Sequence, residues 1–253
     1  MKRLFVANWK MRMNNKDAIQ YCSDNNSAIQ KLKNNHTIVI CPSFTALSSI
    51  ATQLQQTAIA LGAQDCSAFE SGSYTGQVSA QDIAEIGCTY CIVGHSERRI
   101  YCSETNEIIA EKTKRLLENN VTPIICIGET SPECIVETTY QTLEKQLTPI
   151  FTALNNYKKT GATIIIAYEP VWAIGTGTVP NNDYLTAIFS WLHKQAIEKN
   201  PNYNTMFLYG GSVDEYTITK LHAIQNLNGF LIGGASTNFD QFKSIIKACD
   251  TIL

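Results

Sequence analysis

Charge is scarce in this 253-residue chain: Asp, Glu, Lys and Arg make up 17% of it, against about 25% in a typical soluble domain. With 44% hydrophobic residues, that composition excludes a disordered tail or a highly charged filament and predicts a large core. A surplus of either sign is also missing, since 20 Lys and Arg stand against 22 Asp and Glu for a formal net charge of −2. Non-specific nucleic-acid binding needs clustered basic residues to neutralise phosphates, so no nucleic-acid partner is expected. Long apolar runs are lacking too. The longest, from Ala162 to Tyr168, stops at Glu169, well short of the roughly 20 residues that cross a bilayer, and no membrane partner is expected. The apolar run Leu4 to Ala7 is cut by Asn8 and Lys10 before it reaches the about 7–15 residues of a secretory leader. A disulfide framework is equally absent: the nine cysteines are odd in number and scattered, which suits reduced core thiols and a cytoplasmic setting. Cys88 and Cys91, with His95 nearby, lack the second pair of ligands that a closed zinc site requires, so no metal is expected.

What is present is a repeat of short β-branched runs: Leu4 to Ala7, Thr37 to Cys41, Ala58 to Ala63, Tyr90 to Val93, Thr122 to Ile127, Ala162 to Tyr168, Thr205 to Tyr209 and Phe230 to Ile232. Between them lie longer stretches with helical spacing, such as Ile108, Ile109, Lys112, Leu116, Leu117 and Leu185, Ile188, Phe189, Leu192. Continuous apolar strands alternating with helices imply a parallel sheet covered by its crossover helices. Eight such units in about 250 residues fit an α/β fold of the closed (β/α)8 barrel type spanning 1–253 as one domain; strand counting alone leaves an open doubly wound sheet as the alternative. Lys112, Lys114 and Arg115 form a small basic cluster that reads as a solvated helix face.

In such a barrel the active site gathers at the C-terminal strand ends. There the chain has Asn8-Trp9-Lys10, Gly94-His95-Ser96-Glu97-Arg98-Arg99, Glu169-Pro170, Gly210-Gly211-Ser212 and Gly233-Gly234. An amide, a cation, an imidazole, a carboxylate and two glycine turns would converge on one rim. Glycine pairs let backbone N–H groups approach an anion closely, so the site should take a phosphorylated small molecule. Beside it, a carboxylate base, a neutral acid and a cation are the parts needed to remove a proton next to a carbonyl and stabilise an enediolate. Taken singly, each of these residues is ordinary loop punctuation or a solvated side chain; the argument rests on their joint placement.

These residues belong to six longer stretches: Ala7 to Met11, Tyr74-Thr75-Gly76, Val93 to Arg99, Ala167 to Gly177, Tyr209 to Val213 and Gly233 to Ser236. Together they resemble the motifs of the triosephosphate isomerase family, in order and across the whole chain. The resemblance implies a cytoplasmic homodimeric barrel that interconverts dihydroxyacetone phosphate and D-glyceraldehyde 3-phosphate without a cofactor, in a glycolytic or gluconeogenic setting. It assigns Glu169 as the base, His95 as the electrophile and proton shuttle, Lys10 as the cation and Asn8 as an amide donor, with Glu97 and Cys126 supporting them. It places the phosphate on Gly175, Ser212, Gly233 and Gly234. A mobile lid would hinge at Pro170, Val171 and Trp172, with Ile174 to Gly177 at its tip, and Thr75 would reach into the partner subunit. A Schiff-base aldolase, for which Lys10 is the inward candidate, and a non-catalytic phosphate-binding barrel are the competing readings.

The chain departs from the family pattern at four places. Thr178 stands where a lysine is common in the lid. Gln77 replaces a glutamate that pairs with the partner's arginine, matched here by Arg98. Arg12-Met13 replaces Asn-Gly, and Tyr101-Cys102-Ser103 replaces a Phe-Gly pattern. These changes bear first on the expected subunit interface.

Overall fold

The structure is a computed structural model that describes residues 2–32, 36–130, 136–157 and 159–250. Its strands are β1 (Leu4–Asn8), β2 (Thr37–Cys41), β3 (Ala60–Ala63), β4 (Tyr90–Val93), β5 (Thr122–Ile127), β6 (Thr163–Tyr168), β7 (Asn204–Tyr209) and β8 (Gly229–Ile232). They follow one another around the sheet in chain order, all parallel, and β1 pairs with both β2 and β8. That last pairing closes the barrel and removes the open-sheet alternative. The helices that alternate with the strands are α1 (Asn15–Leu32), α2 (Phe44–Leu54), α3 (Ala80–Ile86), α4 (Ser96–Tyr101), α5 (Asn106–Glu118), α6 (Val136–Tyr157), α7 (Asn182–Lys199), α8 (Glu215–Leu221) and α9 (Phe239–Asp250). None of the described helices is long and apolar enough to cross a membrane.

Strand residues point alternately to the two faces of a sheet, and both faces are apolar here. Leu4, Val6, Val39, Ile92, Ile124, Ile165, Leu208 and Leu231 fill the barrel interior, while Phe5, Ala7, Ile38, Ile40, Ile164, Ile166 and Phe230 pack under the helices. This two-sided burial is why the runs are continuously hydrophobic rather than alternating. Helix entry is specified by polar caps: Thr105 accepts from the Ile108 N–H to open α5, and Ser79 with Asp82 forms a reciprocal capping box on α3.

One expectation is corrected. Lys112 does not lie on a solvated face; it is buried, with its ammonium 2.7 Å from Asp65 and also bonded to Glu104. Its helical spacing with Ile109 and Leu116 carries it inward, and two carboxylates supply what burial of the charge requires. Lys114 and Arg115 keep partial exposure and pair with Glu118. The described cysteines are free thiols, all buried except Cys102; Cys134 lies outside the described residues.

Candidate active site

The two-residue period that fills the barrel continues past the strand ends and aims polar groups inward. On β1 the interior series Leu4, Val6 leads to Asn8, and on β6 the series Ile165, Ala167 leads to Glu169. On β7 and β8 the same count reaches Gly210 and Gly233, where side chains would obstruct the groups beside them. A Cβ on Gly210 would sit 2.8 Å from Glu169 Cγ, and one on Gly233 3.1 Å from Lys10 Cε. After β4, Gly94 at φ +68° breaks the alternation; only glycine adopts that conformation without strain, and the turn delivers His95 to the start of α4.

Together these elements line a cavity of about 270 Å³. Asn8, Lys10, His95, Glu169, Ile174, Gly175, Gly177, Ser212, Gly233 and Gly234 all contribute to its wall. Glu169 Oε1 lies 3.3 Å from His95 Nε2, and its Oε2 accepts from the Ser96 backbone N–H at 3.2 Å. Glu169 and His95 are both buried. The Glu97 N–H donates to His95 Nδ1 at 3.2 Å. An accepting Nδ1 carries no hydrogen, so Nε2 holds the ring hydrogen and directs it into the cavity.

Lys10 takes a left-handed φ of +52°, an uncommon conformation for a residue with a side chain. Gln64 Nε2 stabilises it by donating to the carbonyls of Lys10 and Cys41, each at 2.9 Å. The Lys10 ammonium is 2.7 Å from Glu97 Oε1. Burial pushes the Glu97 carboxyl up, but the hydrogen bond from Lys10 and the charges around it outweigh that effect, so the group sits below its usual range. Cys126 is fully buried behind Glu169, and burial followed by the nearby Glu169 charge holds its thiol well above its ordinary value. It is a buried neutral thiol rather than a nucleophile.

The segment following Glu169 runs over the cavity mouth. Pro170 precedes a 3-10 turn at Val171–Ala173. The Trp172 indole turns away from the cavity and donates to Glu129 Oε1 at 2.7 Å. At the tip, Ser212 Oγ donates to the Ala173 carbonyl at 2.6 Å and accepts from the Gly177 N–H at 3.2 Å, while Gly175 and Gly177 take φ of +70° and +75°. Thr178, which departs from the family pattern, donates its N–H to the nearby Thr176 Oγ1.

Thr75 is not brought to the cavity; it is exposed on the loop between β3 and α3. Arg98, the expected partner of a neighbouring subunit, is engaged within its own chain by Asp65 at 2.9 Å and by Glu104. Sequence reasoning missed several groups that the fold brings to this end of the barrel. Gln64 bonds the Lys10 carbonyl, the Ser96 N–H bonds Glu169, Glu129 bonds Trp172, and Arg12 lines the cavity itself. Period-two counting on β3 could have found Gln64, whereas nothing local to Arg12 or Glu129 indicates their roles.

A family model described as triosephosphate isomerase matches residues 3–249. The triosephosphate isomerase of Phocaeicola vulgatus is 38% identical over 251 residues, covering 98% of each chain. That of Aquifex aeolicus is 36% identical over 248 residues, covering 97% of this chain and 99% of its own. That of Wolbachia pipientis is 38% identical over 247 residues, covering 98% and 94%.

Proposed function

The chain belongs to the triosephosphate isomerase family and interconverts dihydroxyacetone phosphate and D-glyceraldehyde 3-phosphate, and we propose that it does so with Glu169, His95, Lys10 and Asn8 as its catalytic groups. The observation that carries this assignment is the convergence of the Glu169 carboxylate and His95 Nε2 at 3.3 Å on the rim that also holds Lys10 and Gly233. Glu169 removes the proton from the carbon beside the carbonyl. His95, hydrogen-bearing at Nε2, polarises the carbonyl oxygen and passes a proton between the two substrate oxygens; a neutral imidazole at a helix N-terminus is the electrophile already described for this enzyme family. Lys10 and the Asn8 amide offset the charge that develops on the enediolate. The proton leaves one carbon and returns to its neighbour, so the step needs no cofactor, and atoms and charge balance.

The substrate phosphate sits against the backbone of Gly175, Ser212, Gly233 and Gly234, where the three glycines carry no side chain and let N–H groups approach an anion. Residues 170–177 act as the lid, a loop whose closure is likewise described for this family. Its Gly177 contact to Ser212 is a single hydrogen bond, weak enough to exchange for contacts with a bound phosphate. Glu97 positions Lys10, and Cys126 backs the base. The unit 1–253 works as one domain.

We also propose a homodimer. Its support is exposed apolar surface: Met11 is 97% exposed, and Phe69 and Tyr74, on the loop that carries Thr75, stack at 3.9 Å while remaining half exposed. Sedimentation at about twice the chain mass checks it. A cytoplasmic setting, supported by the free thiols, is tested by fractionation against cytoplasmic markers.

The deciding experiment follows dihydroxyacetone phosphate formed from D-glyceraldehyde 3-phosphate with EDTA present, for wild type and Glu169→Asp. Turnover that persists in EDTA and collapses in the variant supports the assignment. An active Glu169→Asp protein would remove Glu169 as base, and dependence on metal would remove the mechanism.

A further inference from the structure

We propose that Arg12 is a phosphate-recognising residue of this pocket, a second cation that holds the substrate's dianionic end beside Gly233 and Gly234; this rests on the isomerase reading above. The local fold explains how it gets there. After β1 the left-handed Lys10 and a turn closed by the Arg12 N–H on the Trp9 carbonyl, at 3.2 Å, double the chain back over the barrel mouth. The guanidinium then lies against the glycine turn that follows β8. A Cβ placed on Gly234 would be 3.6 Å from Arg12 Cζ and 3.8 Å from each of its terminal nitrogens.

Its partners distinguish it from Lys10. The Lys10 ammonium is held by Glu97 at 2.7 Å. Among the described residues the Arg12 side chain has neither a hydrogen bond nor an ion pair, although it lines the same cavity. It feels Glu97 only at longer range, as one of several charges that lower that carboxyl's pKa. A guanidinium offers a planar fork of N–H donors matched to phosphate oxygens, and here the fork stands at the end of the cavity where the glycine backbone would receive a phosphate. Without it, a dianion would rest on backbone dipoles and on a lysine already engaged. Its exposure in the single chain makes its replacement tolerable to the fold.

The test compares wild type, Arg12→Gln and Arg12→Lys in two measurements. One is the kinetics with D-glyceraldehyde 3-phosphate and with D-glyceraldehyde, which has no phosphate. The other is calorimetric binding of inorganic phosphate, which requires no turnover. For Arg12→Gln we expect KM for the phosphorylated substrate and the phosphate dissociation constant to rise together by roughly 3- to 20-fold, the range for a charge-assisted contact discounted for exposure. The loss should fall on KM more than on kcat and be smaller on D-glyceraldehyde, and Arg12→Lys should recover part of it by restoring charge without the fork. Equal losses on both substrates, or unchanged phosphate binding, would overturn the proposal. If wild type shows no isomerase activity, the parent reading fails, and the calorimetric comparison still decides whether Arg12 recognises phosphate.

Discussion

Lys10 and Lys112 each hold a carboxylate at 2.7 Å, in opposite surroundings. Lys10 meets Glu97 at the barrel mouth, where the lysine side chain is 16% exposed and the glutamate 46%. Lys112 meets Asp65 and Glu104 beneath helix α5, where all three side chains are 8% exposed or less, with Arg98 closing the cluster from the surface side. In the first pair, water reaches both partners and Lys10 also lines the cavity, so the bond is cheap to exchange. In the second, desolvation makes every charge depend on the others. Burial is the strongest influence on Asp65 and pushes its carboxyl above the usual range despite Lys112 and Arg98 beside it. Pair geometry alone therefore does not separate a solvent-accessible lysine from an enclosed one; the surroundings do.

The largest test of this contrast is Lys112→Met. Removing one member of a buried ionic cluster typically costs about 3–5 kcal/mol because the partners are left uncompensated, and urea unfolding should show a loss of that order. The folded fraction should keep its KM. A loss no larger than that of an exposed pair would break the comparison. Lys10→Met should behave in the opposite way. Its barrier should rise by about 3–4 kcal/mol, lowering kcat/KM by roughly 10²- to 10³-fold, while stability changes by no more than about 1 kcal/mol, as for exposed pairs. Comparable stability losses in the two variants would refute the distinction.

Glu129 sharpens the comparison from a third side, because it is buried yet bonded by neutral donors: Trp172 Nε1, Tyr168 OH and Tyr184 OH. Burial raises its pKa, and the hydrogen bonds pull against that rise without cancelling it. The folded state thus favours the protonated acid more than the unfolded chain does. Its contribution to stability is full at low pH and is lost as pH rises through the elevated value. Measured against Glu129→Gln, which does not titrate, the wild-type unfolding free energy should decline across that interval. A difference that grows with pH would show that the donors outweigh burial.

Much of this architecture is legible in the chain because it is written in short-range periodicity. The run Tyr90 to Val93 is a strand to the residue, and the predicted starts at Ala58, Ala162, Thr205 and Phe230 miss the observed ones by one or two positions, where fraying apolar residues carry no boundary signal. Glu169 lies one step beyond β6, Asn8 is the last residue of β1, and His95 follows a glycine turn, all positions that short-range pattern marks. The burial of Lys112 is not legible locally, because its ion-pair partners Asp65, 47 residues away, and Glu104 are brought to it only by the fold. Arg12 was read as an interface departure because no local pattern shows that it folds back onto Gly234.

The sequence by itself determined which segments become strands and helices, and which residues past each strand end point into the barrel, because two- and 3.6-residue periods act over neighbouring positions. Only the tertiary structure decided that the sheet closes through β1 and β8, that Glu97 meets Lys10 across 87 residues of chain, and that one lysine is entombed while another stands open. Those outcomes depend on strand register and loop path, which set distances between residues that no local interaction connects.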